Sequence, residues 1–163
     1  MKTNLITPGG HRLLKEELDF LWRKKRPEIS KIVAWAASLG DRSDNADYQF
    51  NKRLLRQIDS RVRFLRKRLE CLKIVEYSPQ QEGKVFFGAR VAIENEQGEH
   101  KQFQIVGPDE IFENADLVSI DAPMARALLG KSVDDEAVVQ TPTGQKHWFI
   151  ISISYPGADG LEQ

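Results

Sequence analysis

The stretch YQFNKRLLRQIDSRVRFLRKRLECL, residues 48–72, decides the fold of the first half of the chain. Its apolar residues recur in alternating steps of three and four along one stripe, and Asn51 fills the one polar site of that stripe. The stripe consists of Tyr48, Leu55, Ile58, Val62, Leu65, Leu69 and Leu72. A heptad pattern sustained over this length is typical of a helix that packs along a partner helix.

A second amphipathic pattern precedes this stretch and can supply the partner helix. It opens at Thr7 and Pro8, a capping residue followed by a proline in the first turn. Its apolar stripe contains Leu14, Leu18, Leu21, Ile32 and Ala36. Pro27 lies inside the pattern, which predicts a kink or a break there. Because only a short segment with Gly40 joins the two patterns, we expect an antiparallel helical hairpin.

The hydrophobic period changes to two after Tyr77-Ser78-Pro79, which predicts β-structure for the rest of the chain. The candidate strands are Lys84–Ile93, His100–Val106, Leu117–Ile120, Ala137–Gln140 and Trp148–Tyr155. Asp121-Ala122-Pro123 is expected to cap a short helix that runs through Leu129.

The sequence as a whole therefore predicts an α+β protein with two domains. The first, residues 1–76, is an antiparallel α-helical coiled-coil hairpin with an acidic tip at about 38–47. The second, residues 77–163, is a small, mostly antiparallel β-sheet domain with one short helix.

Charge is divided between the two halves of the chain, although the net charge of the whole is zero. Residues 1–75 hold 18 Lys and Arg against 9 Asp and Glu, a net charge of +9. Residues 76–163 hold 6 basic and 15 acidic residues, a net charge of −9. This division indicates a basic module that meets phosphate or another acidic surface, beside an acidic module with a different partner. The alternative is two solvated faces without partners.

Several classes of protein are excluded by simple features of the sequence. No run of about 18 apolar residues exists and the N-terminus lacks an apolar signal-peptide core, so we expect a cytoplasmic protein that does not bind a membrane. The single Cys71 excludes an internal disulfide and a multi-cysteine zinc site. His11, His100 and His147 are too scattered to indicate metal-ligand spacing.

Three aspartates lie close together in SLGDRSDNADYQF, residues 38–50, between the two basic helical patterns. One interpretation is structural: Asp41 and Asp44 are good N-cap residues, and acids near a helix N-terminus are stabilised by the helix dipole. The other is chemical, because one cap suffices and carboxylates are the hard oxygen ligands that Mg²⁺ prefers. Two aspartates make half a metal site, which a partner could complete.

Long stretches of the chain resemble the GreA/GreB family of bacterial transcript cleavage factors. They are WAASLGDRSDNADYQFNK at 35–52, LKIVEYSPQQEGKVFFGA at 72–89, IVG at 105–107 with DEIF at 109–112, and SIDAPMARALL at 119–129. The resemblance implies a monomeric accessory factor whose coiled coil enters the secondary channel of a backtracked RNA polymerase. It would stimulate the polymerase to cleave the 3′ end of the nascent RNA. The C-terminal domain would have an FKBP-like fold and dock on the coiled coil of the largest polymerase subunit.

The resemblance also implies roles for individual residues. Asp41 and Asp44 would be the catalytic tip acids, holding Mg²⁺ jointly with the polymerase, so that no Mg²⁺ is expected in the free protein. The family has glutamate where this chain has Asp44, and the missing methylene retracts the carboxylate by on the order of 1.3 Å. A displacement of about 1 Å at a catalytic group can reduce the rate roughly 100-fold. Asp121, Ala122 and Pro123 match the docking loop, and Ala122 replaces a serine.

The basic residues behind the tip, Lys52, Arg53 and Arg56, would contact the backtracked RNA 3′ end. Alternatively, they neutralise an acidic channel wall. Tyr48 could stack on a base, although its place on the apolar stripe favours packing.

Three functional hypotheses follow from the sequence and remain distinct. The first is a cleavage-stimulating elongation factor. The second is a regulator that occupies the channel without supporting cleavage, because Asp44 is short. The third is a free-standing nucleic-acid-binding coiled coil, which predicts salt-sensitive RNA binding without polymerase.

Overall fold

A computed structural model describes residues 3–112 and 114–156, and the chain divides into two compact units. One unit is the helical segment His11–Cys71, and the other combines Met1–Gly10 with Leu72–Gln163. No helix in the described ranges has the length and apolar character that a membrane span requires. The predicted α+β architecture with two domains is confirmed.

The helical unit is an antiparallel hairpin. Its helices are α1 (Pro8–Phe20), whose first turn belongs to the other unit, a π-helical segment (Leu21–Lys25), α2 (Arg26–Ala37) and α3 (Ala46–Cys71). Ile29 packs with Ile58 and Val62 between the arms, and all three are buried. Around them lie the half-buried Leu18, Leu21, Ile32, Val33, Leu54 and Leu55. The two predicted apolar stripes are therefore confirmed as the hairpin interior.

Ion pairs across the hairpin fix the alignment of its arms. Arg26 Nε lies 2.7 Å from Asp59 Oδ1, and Arg61 Nε lies 2.7 Å from Glu17 Oε2. A second Arg61 nitrogen donates to Glu17 Oε1 at 2.9 Å, so this pair is bidentate. Residue numbers rise along one arm as they fall along the other, as an antiparallel arrangement requires.

The irregularity expected near Pro27 takes the form of the π-helical segment Leu21–Lys25 rather than a break. Proline has no N–H, and its ring clashes with the carbonyl four residues earlier in an α-helix. Here the Arg26 N–H donates to the Leu21 carbonyl, five residues back. Arg26 and Phe20, which flank the segment, keep right-handed helical backbone angles, so the helical run continues through it.

The other unit contains seven strands within the described residues: β1 (Leu5–Ile6), β2 (Lys73–Ile74), β3 (Arg90–Asn95), β4 (His100–Val106), β5 (Leu117–Ser119), β6 (Glu136–Thr141) and β7 (Gly144–Ser154). Strands β1 and β2 form a separate parallel pair. The other five form one sheet with strand order β5-β4-β3-β7-β6. Strands β4 and β5 are parallel and the other neighbours antiparallel. Buried Ile93, Ile105 and Trp148 belong to a core that includes two residues of the short helix α4 (Pro123–Leu128).

The first predicted strand is wrong in part, because Lys84–Ile93 does not form one strand. Strand β3 begins only at Arg90, and the residues before it make a single β-bridge, between Lys84 and Ser132. Gly88 interrupts the strand: its φ of 90° lies in the left-handed region, and its N–H donates to the Ile105 carbonyl.

The first ten residues group with the sheet unit, whereas the sequence placed residues 1–76 in the hairpin. The physical reason is the pairing of β1 with β2, in which Leu5 aligns with Lys73 and Ile6 with Ile74. Thr7 then caps α1 as predicted, because its Oγ1 accepts the Gly10 N–H at 3.1 Å.

Candidate functional site

The tip of the hairpin is the segment between Ala37, where α2 ends, and Ala46, where α3 begins. Asp41 Oδ1 accepts hydrogen bonds from the Ser43 backbone N at 2.9 Å and from Ser43 Oγ at 2.8 Å. These two bonds, the hydroxyl bond first, hold the pKa of Asp41 below its ordinary value. The side chain of Asp44 lies close enough to make a smaller contribution in the same direction. The structure thus brings the two predicted tip acids together, and both are exposed.

Asn45, rather than either aspartate, caps helix α3. Its Oδ1 accepts the Tyr48 N–H at 3.0 Å, and its Nδ2 donates to the Ala36 carbonyl at 2.6 Å. The interpretation of Asp41 and Asp44 as the helix caps is therefore wrong. Sequence reasoning overlooked Asn45, although asparagine caps helices as well as aspartate does and this one immediately precedes Ala46.

The other side chains of the tip support its loop. Gln49 Nε2 donates to the Arg42 carbonyl at 2.8 Å, and the Arg42 guanidinium lies 5.3 Å from the centroid of the Tyr48 ring. Tyr48 is half-buried, which favours packing over base stacking. Asp47 is exposed in the first turn of α3, where the helix dipole favours an acid. Within residues 3–112 and 114–156, no group of three or more His, Cys, Asp or Glu is placed to hold a metal ion.

Basic side chains follow the tip acids along α3. Arg53 and Arg56 are exposed and Lys52 is half-buried. They belong to a unit, His11–Cys71, that holds 16 Lys and Arg against 9 Asp and Glu, a net charge of +7. The hairpin therefore combines a small acidic end with a basic body.

The predicted docking loop lies at the start of α4. Pro123 is exposed, and Ala122 occupies the N-cap position without a side-chain cap. The expectation that Asp121 helps to cap this helix is wrong, because its carboxylate is taken by Thr3. Asp121 Oδ2 accepts the Thr3 N–H at 2.9 Å, and Oδ1 accepts the Thr3 hydroxyl. These bonds, the hydroxyl bond first, lower the pKa of Asp121.

Glu110 is a buried carboxylate that the sequence did not single out for a role. It is 4% exposed and accepts hydrogen bonds from Thr7 N at 2.9 Å, Gly107 N at 2.7 Å and Thr7 Oγ1. Burial raises the pKa of Glu110 and outweighs the lowering by these bonds. A Cβ at Gly10 would lie 2.1 Å from Glu110 Oε1, so the Glu110 side chain leaves no space for a side chain at position 10.

Fold and tip together define a class of two-domain protein: a helical hairpin presents carboxylates at its end and a small sheet domain accompanies it. The chain belongs to the GreA/GreB family. Residues 4–74 match the family described as transcription elongation factor, N-terminal, and residues 80–155 match the one described as transcription elongation factor, GreA/GreB, C-term.

Curated relatives are similar to the chain over nearly its whole length. Transcription elongation factor GreB of Vibrio cholerae is 69% identical over 156 residues, which cover 95% of this chain and 97% of that protein. The GreB of Pseudomonas syringae is 64% identical over 155 residues, 95% of this chain and 99% of that protein. Among solved structures, the Gfh1 protein of Thermus thermophilus aligns over 92% of this chain and 97% of that one, with 27% identity and a TM-score of 0.42.

Proposed function

We propose that this protein is a transcription elongation factor that binds RNA polymerase and stimulates Mg²⁺-dependent cleavage of backtracked nascent RNA. The observation that carries the proposal is the tip: Asp41 and Asp44 lie together, exposed, and Asn45 performs the capping they would otherwise be needed for. Membership of the family and the GreB relatives support the same function. The protein acts as an accessory, and the cleaving active site is that of the polymerase.

The tip acids fit the role of a partial Mg²⁺ site. Their carboxylates are hard oxygen donors, and the lowered pKa of Asp41 keeps that group ionised at neutral pH. Asp41 and Asp44 would hold the ion jointly with ligands from the polymerase. When bound there, Mg²⁺ supplies activation of water and charge stabilisation for phosphodiester hydrolysis. The task of this chain is to deliver the two carboxylates on a rigid hairpin and to keep them in position.

The basic residues behind the tip guide the RNA in this proposal. Arg53 and Arg56 are exposed on α3, and the half-buried Lys52 directly precedes Arg53. Cationic side chains at these positions suit contact with the phosphates of the extruded 3′ segment. The contribution is electrostatic, so it should weaken as salt concentration rises.

The sheet unit provides the docking surface of the proposal. Pro123 and Ala122 would contact the coiled coil of the largest polymerase subunit. Asp121 would hold the loop in shape, since Thr3 already occupies both of its carboxylate oxygens. In this proposal the sheet unit binds the polymerase, and the hairpin supplies the carboxylates that act in cleavage.

The proposal is tested by stalling purified polymerase in a backtracked complex with end-labelled RNA and adding the protein with Mg²⁺. Shortening of the RNA by the wild type, at a rate near that of Asp44→Glu, is the expected result. Cleavage by Asp44→Glu but not by the wild type would contradict it and favour the channel-occupying regulator, an alternative that the curated relatives do not support. Tight RNA binding without polymerase would favour the free-standing coiled coil.

A further inference from the structure

Asn45 uses both ends of its side-chain amide to close the tip loop. The oxygen caps α3 through the Tyr48 N–H, and the nitrogen reaches the carbonyl of Ala36, in the last turn of α2. Ala36 is fully buried, and its carbonyl also accepts the Leu39 N–H at 3.1 Å. One side chain therefore joins the end of one arm to the start of the other, across nine residues of sequence.

A cap alone would need only the oxygen of this amide. Serine, threonine and aspartate all supply such an oxygen at a helix N-terminus. None of the three, in the protonation state expected at neutral pH, offers an N–H that could bridge to the Ala36 carbonyl in the same way. The amide nitrogen is thus the feature of Asn45 that capping does not explain.

The position of Asn45 connects this bridge to the tip acids. Asp44 is its immediate neighbour, and Asp41 lies inside the loop that the bridge closes. We propose that Asn45 is a positioning residue for Asp41 and Asp44: its amide nitrogen holds the loop closed so that the two carboxylates are presented together. This inference rests on the proposed function, because presentation of the acids has its effect in cleavage.

The chain offers matched variants for the test. Asn45→Asp and Asn45→Ser both keep a capping oxygen and lose the amide donor, and the serine adds no charge. Asn51→Asp is the control, because it also replaces an asparagine by aspartate, six residues after Asn45. It removes one comparable hydrogen bond, from Asn51 Nδ2 to the Asp47 carbonyl at 2.8 Å. It leaves the bridge between the arms intact.

The first measurement is the rate of RNA cleavage in a backtracked complex as a function of factor concentration. Displacing a catalytic group by about 1 Å can reduce rate roughly 100-fold, so we expect both Asn45 variants to lower the plateau rate by about tenfold or more. The half-saturating concentration and the helicity by circular dichroism should stay at wild-type values, because cap and docking surface are unchanged. Asn51→Asp should behave as the wild type. A plateau rate preserved in Asn45→Ser, or a loss confined to the half-saturating concentration, would overturn the proposal.

The second measurement needs no polymerase and separates this inference from the proposed function. The backbone amide of Ser43, which donates to Asp41 Oδ1 at 2.9 Å, is followed by hydrogen-exchange NMR in the free wild type, Asn45→Ser and Asn51→Asp. Opening of the loop should weaken this bond and speed the exchange of the Ser43 amide in Asn45→Ser alone. If the wild type failed to cleave RNA, the proposed function would fall while this exchange measurement still decided the role of Asn45. Exchange of the Ser43 amide that is unchanged in Asn45→Ser would overturn that role.

Discussion

Replacement of Glu110 by alanine should destabilise the sheet unit strongly. The carboxylate accepts three hydrogen bonds, from Thr7 N, Gly107 N and the Thr7 hydroxyl. Gly107 is buried and Thr7 half-buried, so water can replace the lost acceptor only in part. Since a buried donor left without an acceptor costs about 1–3 kcal/mol, we expect a loss of about 3 kcal/mol from the two backbone donors together.

The loss can be measured as a shift in unfolding. A domain of about 100 residues loses at least about 4 °C in Tm per kcal/mol, so Glu110→Ala should lower the Tm of the sheet unit by on the order of 10 °C. Urea unfolding followed by the fluorescence of Trp148, which is buried in that unit, reports the same free energy when Trp22 and Trp35 of the hairpin are replaced by phenylalanine. Glu96→Ala, at an exposed glutamate of the same unit, is the control and should change stability by less than about 0.5 kcal/mol. A change of that small size in Glu110→Ala would show that Glu110 does not stabilise the sheet unit through these hydrogen bonds.

Glu110→Gln isolates the charge of this group. Glutamine retains one oxygen for the two backbone donors, and its amide can donate to the Thr7 hydroxyl, so the contacts survive. Because folding raises the pKa of Glu110, the folded state binds its proton more tightly than the unfolded state. The stabilisation by that proton is complete below the ordinary pKa of 4.5 and is lost as pH rises through the raised pKa. Wild-type stability relative to Glu110→Gln should therefore fall as pH rises through this window, and a constant or increasing difference would contradict the sign.

Two further predictions concern the hairpin and the docking loop. Val62→Asp places an unpaired charge at a site that is 3% exposed and should abolish most of the helicity of the hairpin, whereas Arg63→Asp, at the exposed neighbour, should keep it; circular dichroism distinguishes them. Pro123→Glu should weaken polymerase binding about tenfold or more while cleavage recovers at high factor concentration; a variant that binds normally would remove Pro123 from the docking surface.

Sequence periodicity was sufficient to predict the hairpin, because a long buried stripe on a helix requires an apolar residue at every third or fourth position. Val62 and Ile58 are buried as that pattern requires. Strands of two residues are too short to show a periodic pattern, so the pairing of Leu5–Ile6 with Lys73–Ile74 was not predictable. The assignment of the first residues to the sheet unit depends on this pairing and was therefore not predictable either. The interruption of the first strand at Gly88 depends on a backbone conformation that several glycines could have adopted.

The acidic residues of the candidate site were predictable from the sequence, whereas the residues that hold the tip loop in shape were not. The clustered aspartates between the basic helices can be identified directly in the sequence because they lie within a few residues of one another. The structure brings Asp41 and Asp44 together. The role of Asn45 depends on a contact with Ala36, on the other arm, which sequence order does not reveal. Glu110 likewise accepts a hydrogen bond from Thr7, which lies more than a hundred residues earlier in the chain.

In the proposed function, the tip carboxylates take part in cleavage and do not merely shape the tip. Asp41→Ala in a backtracked polymerase complex tests this role, with RNA shortening and factor binding measured in the same samples. Cleavage should be abolished while binding stays within about twofold of the wild type, because the role proposed for the exposed Asp41 is that of a metal ligand and it lies outside the docking loop. Cleavage at the wild-type rate, or loss of binding in parallel with loss of cleavage, would contradict it.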